Sequence, residues 1–398
     1  MIEGHDILCF APGPWDDIWR NRHQIMTRLA RANKVLYIEP WPQLRPVLRA
    51  LRSGELSLKD IHGSHLRQVG QNLYVYQPPV WAPHVGRFPL NVIMENLCIT
   101  LLRRVLRRLG FQRPILWLFM PHMGIYIGRL GEKLVIYHIV DEYAGYSGIS
   151  ASWRLVMEQM EQQLARRVDL VFVTSPTLLE RKRQLNEKIF LVPNAVDYEA
   201  FASVLDGPIC IPSDMTGISR PIAGYVGAIN EKIDLSLLAN VARSCASWSF
   251  VLVGPIAIRD AEDLQALNTL RALPNVHFLG QKKVEEVPYY IVACDVCLLP
   301  YRINEWTQNI DSLKLYEYLA CAKPIVATDV PAARRFSDFV AIATSDAEFI
   351  SSMNSTWRED SPALQAKRRS IAAQHTWEKR VNELSVVIEA QLQARRLQ

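Results

Sequence analysis

The chain has 398 residues, 49% of them hydrophobic and 21% charged, which suits two packed domains and excludes a disordered or fibrous chain. Its seven cysteines are scattered and odd in number, so they give no disulfide framework and suit a reducing, cytoplasmic setting. The net charge of +5 is uneven: residues 1–130 hold 17 Lys and Arg against 8 Asp and Glu, a balance that favours an anionic partner such as a phosphorylated acceptor, a membrane surface or nucleic acid.

The first segment, MIEGHDILCFAPG, has too short an apolar run for a signal peptide, and no export is expected. Short β-rich runs then alternate with helical spacing. DILCF, KVLYIE, NLYVYQ, PILWLF, KLVIYHIV, DLVFVTS and KIFLVP predict strands. Residues 22–31, 153–166 and 176–185 predict helices, the last with Pro176 in its first turn after Ser175. This is the pattern of a doubly wound parallel sheet, in which ligands bind beyond the carboxyl ends of the strands.

Strand ends are therefore the places to search. The loop after the first strand, FAPGPWDDIWRNRHQ, supplies Asp16, Asp17, Arg20, Arg22 and His23, candidates for binding an acceptor, although a solvated helix start would carry the same charges. PILWLFMPHMG places His122, and KLVIYHIVDEY places Asp141 and Glu142. An imidazole or carboxylate there can activate an acceptor hydroxyl, so Asp141 and His122 are the catalytic candidates. A satisfied core histidine and a helix cap are the alternative readings.

Residues 92–109 form a strongly amphipathic pattern, with Arg103, Arg104, Arg107 and Arg108 on the face opposite the apolar stripe. The helix can pack on the sheet and still present its arginines to anionic lipid headgroups. The arginines here, and Pro121 and His122 in residues 114–130, argue against either stretch spanning a bilayer.

Around DGPICIPSDMTGISRP the period is lost, predicting an interdomain linker. The alternation restarts with PIAGYVGA, SFVLVG, NVHFLG, DVCLLP, KPIVATD and FVAIA, interleaved with helical segments at 234–245, 260–272, 284–293 and 313–320. Two Rossmann-like domains are expected, residues 1–204 and 205–376, with residues 377–398 forming an amphipathic helix that crosses back to the first. The Cys294–Cys297 pair lies partly inside the strand run DVCLLP, which favours a core role over metal or redox chemistry.

The richest segment is residues 298–334. A strand ends at Pro300, a polar loop follows, and a helix begins near Asp311 or Ser312, either of which could cap it. Free amides near Ser312 and Leu313, with the ammonium of Lys314, would receive a diphosphate. Glu317, one turn further along the same face, could accept hydrogen bonds from both ribose hydroxyls. An ordinary helix start with a surface Lys/Glu pair has the same spacing.

This stretch resembles the nucleotide-binding motif of retaining GT-B glycosyltransferases of family 4, the group 1 type. That motif has two glutamates separated by seven residues, followed by a G-x-P-V-V-A-T-like run. Glu317 matches the second, ribose-binding glutamate and KPIVATD the run, while Asn309 stands where the first glutamate approaches the donor sugar, as in a branch that has lost it. GYVGAINEK resembles the first strand of the nucleotide domain, with Gly227 at the turn, Lys232 as the diphosphate lysine and Ala228 in place of an arginine. LVGP, with Gly254, resembles a loop closing over the nucleotide, and VPNAVDYEAF resembles the segment before the linker.

The resemblance implies a GT-B fold of two α/β domains facing a cleft. It implies a hexosyltransferase that takes a nucleotide-diphosphate sugar and transfers it with retention to a glycan or lipid-linked acceptor. No cofactor or metal is expected beyond the donor, and no nucleic acid. The Ser-His-Asp, HExxH, Walker A, GxGxxG and isolated DxD patterns are all missing. Two other readings stay open: an inverting GT-B transferase with Asp141 as general base, and a catalytically silent GT-B binding module.

Overall fold

The structure is a computed structural model that describes residues 1–54, 65–84, 90–146 and 150–397. The N-terminal sheet contains β1 (Asp6–Phe10), β2 (Lys34–Ile38), β3 (His65–Gly70), β4 (Leu73–Gln77), β5 (Ile115–Leu118), β6 (Leu134–Ile139), β7 (Leu170–Val173) and β8 (Ile189–Leu191). Their order is β3-β4-β2-β1-β5-β6-β7-β8, and all neighbours are parallel except the antiparallel β3–β4 edge. That edge strand, HLRQVG, is half-exposed along its length and lacks the apolar run that announces the others. Among the described residues the α-helices that accompany the sheet are α1 (Asn21–Leu29), α2 (Leu44–Ser53), α3 (Leu90–Leu109), α4 (Ala151–Arg167), α5 (Pro176–Lys182) and α6 (Tyr198–Ala202).

The second sheet has the order β13-β11-β9-β14-β15-β16 and is wholly parallel. Its strands are β9 (Ile222–Val226), β11 (Ser249–Val253), β13 (Val276–Gly280), β14 (Val296–Leu299), β15 (Ile325–Thr328) and β16 (Val340–Ala343). β10 (Ile229–Asn230) and β12 (Ile256–Ala257) form a small parallel ladder of their own. The helices are α7 (Leu235–Ser244), α8 (Ala261–Arg271), α9 (Val287–Ala293), α10 (Glu305–Asn309), α11 (Leu313–Ala320), α12 (Pro331–Arg334), α13 (Asp346–Arg358), α14 (Pro362–Ala373) and α15 (Trp377–Arg396). The loop expected after Pro300 thus contains a short helix, α10, closed by a reciprocal cap between Asn304 and Thr307.

Alternation along each strand divides the N-terminal core into two layers. Ile7 and Cys9 face one layer and Leu8 and Phe10 the other, as the two-residue period of a strand requires. On the first layer lies α15, through Trp377, Val381, Leu384, Ile388 and Leu392. Its start is pinned by Arg28, which pairs with Glu378 at 2.7 Å and Asp197 at 3.1 Å. The last helix of the chain therefore packs on the first domain. On the other layer lies α3, through Cys98, Ile99, Leu102 and Leu106. Its four arginines are exposed, Arg103 donating to the carbonyl of Arg129 at 2.7 and 2.9 Å. Among the described residues no helix is long and apolar enough to cross a membrane. Cys294 and Cys297 are free thiols buried in the second core.

One buried ionic group ties α4, α5 and the end of β6 together. The ammonium of Lys182 lies 3.0 Å from Glu142 and 2.5 Å from Glu161, and Glu161 also accepts the Tyr137 hydroxyl at 3.1 Å. Burial pushes the Glu161 carboxyl up while Lys182 opposes it. Replacing Lys182 by Met would leave two facing buried carboxylates, a change that typically costs about 3–5 kcal/mol. Urea unfolding of Lys182→Met should show that loss at pH 8. It should show a smaller loss at pH 5, because with the cation gone the folded-state carboxyl pKa rises further and protonation relieves the repulsion. A loss below about 1 kcal/mol at pH 8 would show that the cluster is not needed for stability.

Candidate active-site cleft

The carboxyl ends of the two sheets enclose a cleft of about 950 Å³. On the C-terminal wall, β9 is followed by Gly227 and β11 by Gly254, both at φ +143°, a region that favours glycine. Close packing adds a second reason. A Cβ on Gly227 would run into the ammonium end of Lys314, and one on Gly254 would run into the carbonyl of Gly227. Lys314 thus reaches the cleft through a gap that only a glycine leaves open.

Lys314 and Glu317 stand on the first turns of α11, half-buried, and both line the cleft. Burial and the neighbouring charge of Lys232 push the Lys314 ammonium well down, to about 7, against the pull of Glu317. Burial pushes the Glu317 carboxyl up, and Lys314 opposes that. Lys232, between β10 and α7, lies 5.3 Å from the Trp306 ring and 5.6 Å from the Tyr301 ring, where aromatic faces favour a cation. It too is pushed down by burial, with Asp141 opposing.

Asp141 faces this wall from the end of β6. Its carboxylate accepts the Tyr146 hydroxyl at 2.8 Å, and Tyr146 packs on Trp306 with centroids 4.5 Å apart. Burial raises its pKa, while Lys232, Tyr146 and Arg20 draw it back. The N-terminal wall is completed by the first loop, held by two anchors from β2. Glu39 accepts the Trp15 amide at 3.0 Å, and the Tyr37 hydroxyl donates to the Gly13 carbonyl at 2.9 Å.

Of the residues singled out from the sequence, Asp16, Arg20, Arg22, Asp141, Gly227, Lys232, Gly254, Asp311, Ser312, Leu313, Lys314 and Glu317 all line this one cleft. Three do not. Asn309 is buried, donating to the Glu305 carbonyl at 2.7 Å while its own carbonyl accepts the Ser175 hydroxyl at 2.6 Å, so it fastens α10 to α5 and does not line the cleft. His23 is in the core, its Nδ1 accepting the Arg20 amide at 3.0 Å and its ring among Trp15, Trp19 and Tyr37. Burial, helped by Arg22, pushes its imidazole down to about 3. His122 is exposed beside the cleft, whose wall is made instead by Phe119 and Met120.

Two expected caps also act differently. Asp311 reaches back across the domain boundary, accepting the Asn194 amide at 2.6 Å and the Tyr316 hydroxyl at 2.9 Å, with Arg335 3.6 Å away. Its carboxylate is engaged by protein partners; burial raises its pKa to about 6. Ser312 occupies the N-cap position of α11 without capping it, its hydroxyl lying 3.2 Å from that of Tyr301. The amides at the start of α11 are thereby left without a side-chain acceptor. The sequence reading missed residues 281–287, which follow β13 and line the cleft. Their strand-end position was the available signal. Within this stretch, Lys282 pairs with Asp214 of the linker at 2.6 Å. Among the described residues no group of His, Cys, Asp and Glu could hold a metal ion.

Residues 220–356 match the family described as "Glycosyl transferases group 1". The chain is a GT-B glycosyltransferase. Over 342 residues it is 26% identical to the "Putative teichuronic acid biosynthesis glycosyltransferase TuaH" of Bacillus subtilis (strain 168), covering 82% of this chain and 81% of the relative. Two solved structures share the fold. Sucrose-phosphate synthase from Thermosynechococcus elongatus superposes with a TM-score of 0.69 at 15% identity, covering 98% of this chain and 100% of that one. Anabaena Alr3699/HepE, in complex with UDP and glucose, does so with a TM-score of 0.67 at 14% identity, covering 97% and 100%.

The glycine at the end of β9 gives a test of the packing in this glycosyltransferase. Gly227→Ala must displace Lys314 and strain the backbone, at a cost of about 1–3 kcal/mol. Gly207→Ala, where a Cβ meets nothing within 4 Å, should stay within about 0.5 kcal/mol of the wild type. Thermal unfolding compares the two. Equal stability would mean that Lys314 moves aside freely.

Proposed function

We propose that this enzyme binds a nucleotide-diphosphate sugar on the C-terminal wall and transfers its hexosyl unit to a glycan or lipid-linked acceptor on the N-terminal wall. The observation that carries the reading is the convergence of Lys314, Lys232 and the uncapped start of α11 on one side of the cleft, with Glu317 one turn further on. Backbone amides and two ammonium groups suit a diphosphate, and Glu317 suits the two hydroxyls of a ribose. HepE, which shares the fold, holds UDP and glucose in its crystal structure, and a uridine nucleotide is the donor we test first.

Transfer with retention, by attack on the same face from which the diphosphate leaves, fits a cleft in which Asp141 of the opposite domain faces the donor wall and acts on Lys232. In that mechanism the departing phosphate takes the acceptor proton, Lys232 and Lys314 stabilise its charge, and Asp141 orients the acceptor hydroxyl. The inverting alternative makes Asp141 the general base, a role its burial favours by raising its pKa. The anomer of the product separates the two. The exposed arginines of α3 support reversible contact with an anionic membrane surface when the acceptor is lipid-linked. Asn309, turned away from the cleft, supports a branch of family 4 in which no first glutamate meets the donor sugar.

Asp141→Asn should lower turnover by about 100-fold or more with nucleotide affinity retained. In the wild type the rate should fall as pH drops through the pKa of Asp141, which burial sets above the ordinary carboxylate range, and the variant should lose that limb. Retained turnover with several acceptors would reduce Asp141 to a partner of Tyr146.

A further inference from the structure

Donor binding and transfer occupy Lys232, Lys314, Glu317 and Asp141 and leave Arg22 without a role. Arg22 lines the cleft from the N-terminal side, yet it is only 4% exposed. Its Nε donates to the Tyr37 hydroxyl at 2.7 Å, and that hydroxyl is itself fixed by donating to the Gly13 carbonyl. The guanidinium is therefore held at its base, and among the described residues no hydrogen bond engages its far N–H groups. One of these nitrogens lies 3.0 Å from where a Cβ on Gly13 would stand, so the first loop can lie over the guanidinium because residue 13 has no side chain.

Of the nearby carboxylates, Asp16 pairs with Arg67, Glu39 accepts the amide of Trp15 at 3.0 Å, and Asp17 accepts the amide of Ile18 at 2.7 Å through one oxygen while its other oxygen lies 3.5 Å from where a Cβ on Gly13 would stand. Among the described residues none forms an ion pair with Arg22. A buried guanidinium without a counterion is strongly unfavourable, and its planar fork of N–H donors matches the oxygens of a phosphate or carboxylate. Arg20, exposed on the same loop, adds positive charge felt by both Asp141 and Lys232. Tyr143 lies within the electrostatic reach of both Arg22 and Asp141, so a group held by Arg22 would sit beside the carboxylate assigned to the acceptor hydroxyl.

We propose that the acceptor itself carries an oxyanion, a phosphate or a carboxylate, and that Arg22, with Arg20 at the rim, binds it in the N-terminal half of the cleft. This rests on the assignment of the C-terminal wall to the donor. The oxyanion would anchor the acceptor and let it present a hydroxyl to Asp141. Its site is distinct from that of the donor diphosphate, which faces α11.

Calorimetry on the full-length protein tests this with inorganic phosphate and D-glucuronate as probes, each titrated into protein already saturated with UDP. The wild type should bind at least one of them, and which one distinguishes a phosphate from a carboxylate site. Arg22→Gln should weaken that binding at least about tenfold, Arg22→Lys should weaken it less, and the affinity for UDP should change less than about threefold. Failure of both anions to bind the UDP-saturated wild type would overturn the proposal, whatever the variants do. So would a loss of UDP affinity in Arg22→Gln as large as the loss for the anion, which would give the guanidinium to the donor diphosphate. If UDP does not bind the wild type, the donor assignment fails. Phosphate or glucuronate binding to the free protein, lost in Arg22→Gln, would then still support the oxyanion site, and its absence would overturn it.

Discussion

Lys232 stands close enough to Lys314 to depress its charge, in a place where burial already disfavours both cations. An arrangement of this kind is tolerated only when something nearby offsets it. Three aromatic rings, of Tyr225, Tyr301 and Trp306, the carboxylate of Glu317 on one side and that of Asp141 across the cleft do so in the free protein. A diphosphate would do so more completely, bringing negative charge to both ammonium groups. The geometry that makes this possible is backbone geometry: Gly227 gives Lys314 its passage, and Gly254 lets the end of β11 pass beside Gly227.

The second wall of the site depends on how the domains meet. Helix α10 is the joint. Glu305 at its start pairs with Arg154 at 2.6 Å and Arg181 at 2.9 Å, both from the first domain. Trp306 then lies between Tyr146, which holds Asp141, and the ammonium of Lys232. At its end the carbonyl of Asn309 accepts the Ser175 hydroxyl. Five residues thus carry docking, aromatic packing and the placement of two charged groups at once. The exposed pairs contribute little stability individually; their consequence is positional, since opening this contact would separate Asp141 from Lys232.

Much of this was legible in the chain, and what was not has physical reasons. Strands buried on both faces announce themselves as apolar runs, so the parallel strands and their loops could be placed, and with them Lys232, Lys314, Glu317 and Asp141. The edge strand β3 and the short helix α10 have no such run. Asn309, Asp311 and Ser312 sit where a ligand would be expected, but their partners, Ser175, Asn194 and Tyr301, are between 11 and 134 positions away in sequence. Local spacing holds no record of such contacts. His23 was misplaced for a similar reason: its neighbours Trp15, Trp19 and Tyr37 form an aromatic cluster that only the tertiary fold assembles.

The proposed donor site requires that Glu317 and Lys314 together receive the sugar-nucleotide on α11. Calorimetric titration of UDP into the wild type and Glu317→Gln measures it directly. Loss of charged hydrogen bonds to the ribose should weaken binding by about 1–3 kcal/mol, with thermal stability in the absence of ligand nearly unchanged. Equal UDP affinity in the two proteins would contradict the assignment and remove the donor from this wall of the cleft.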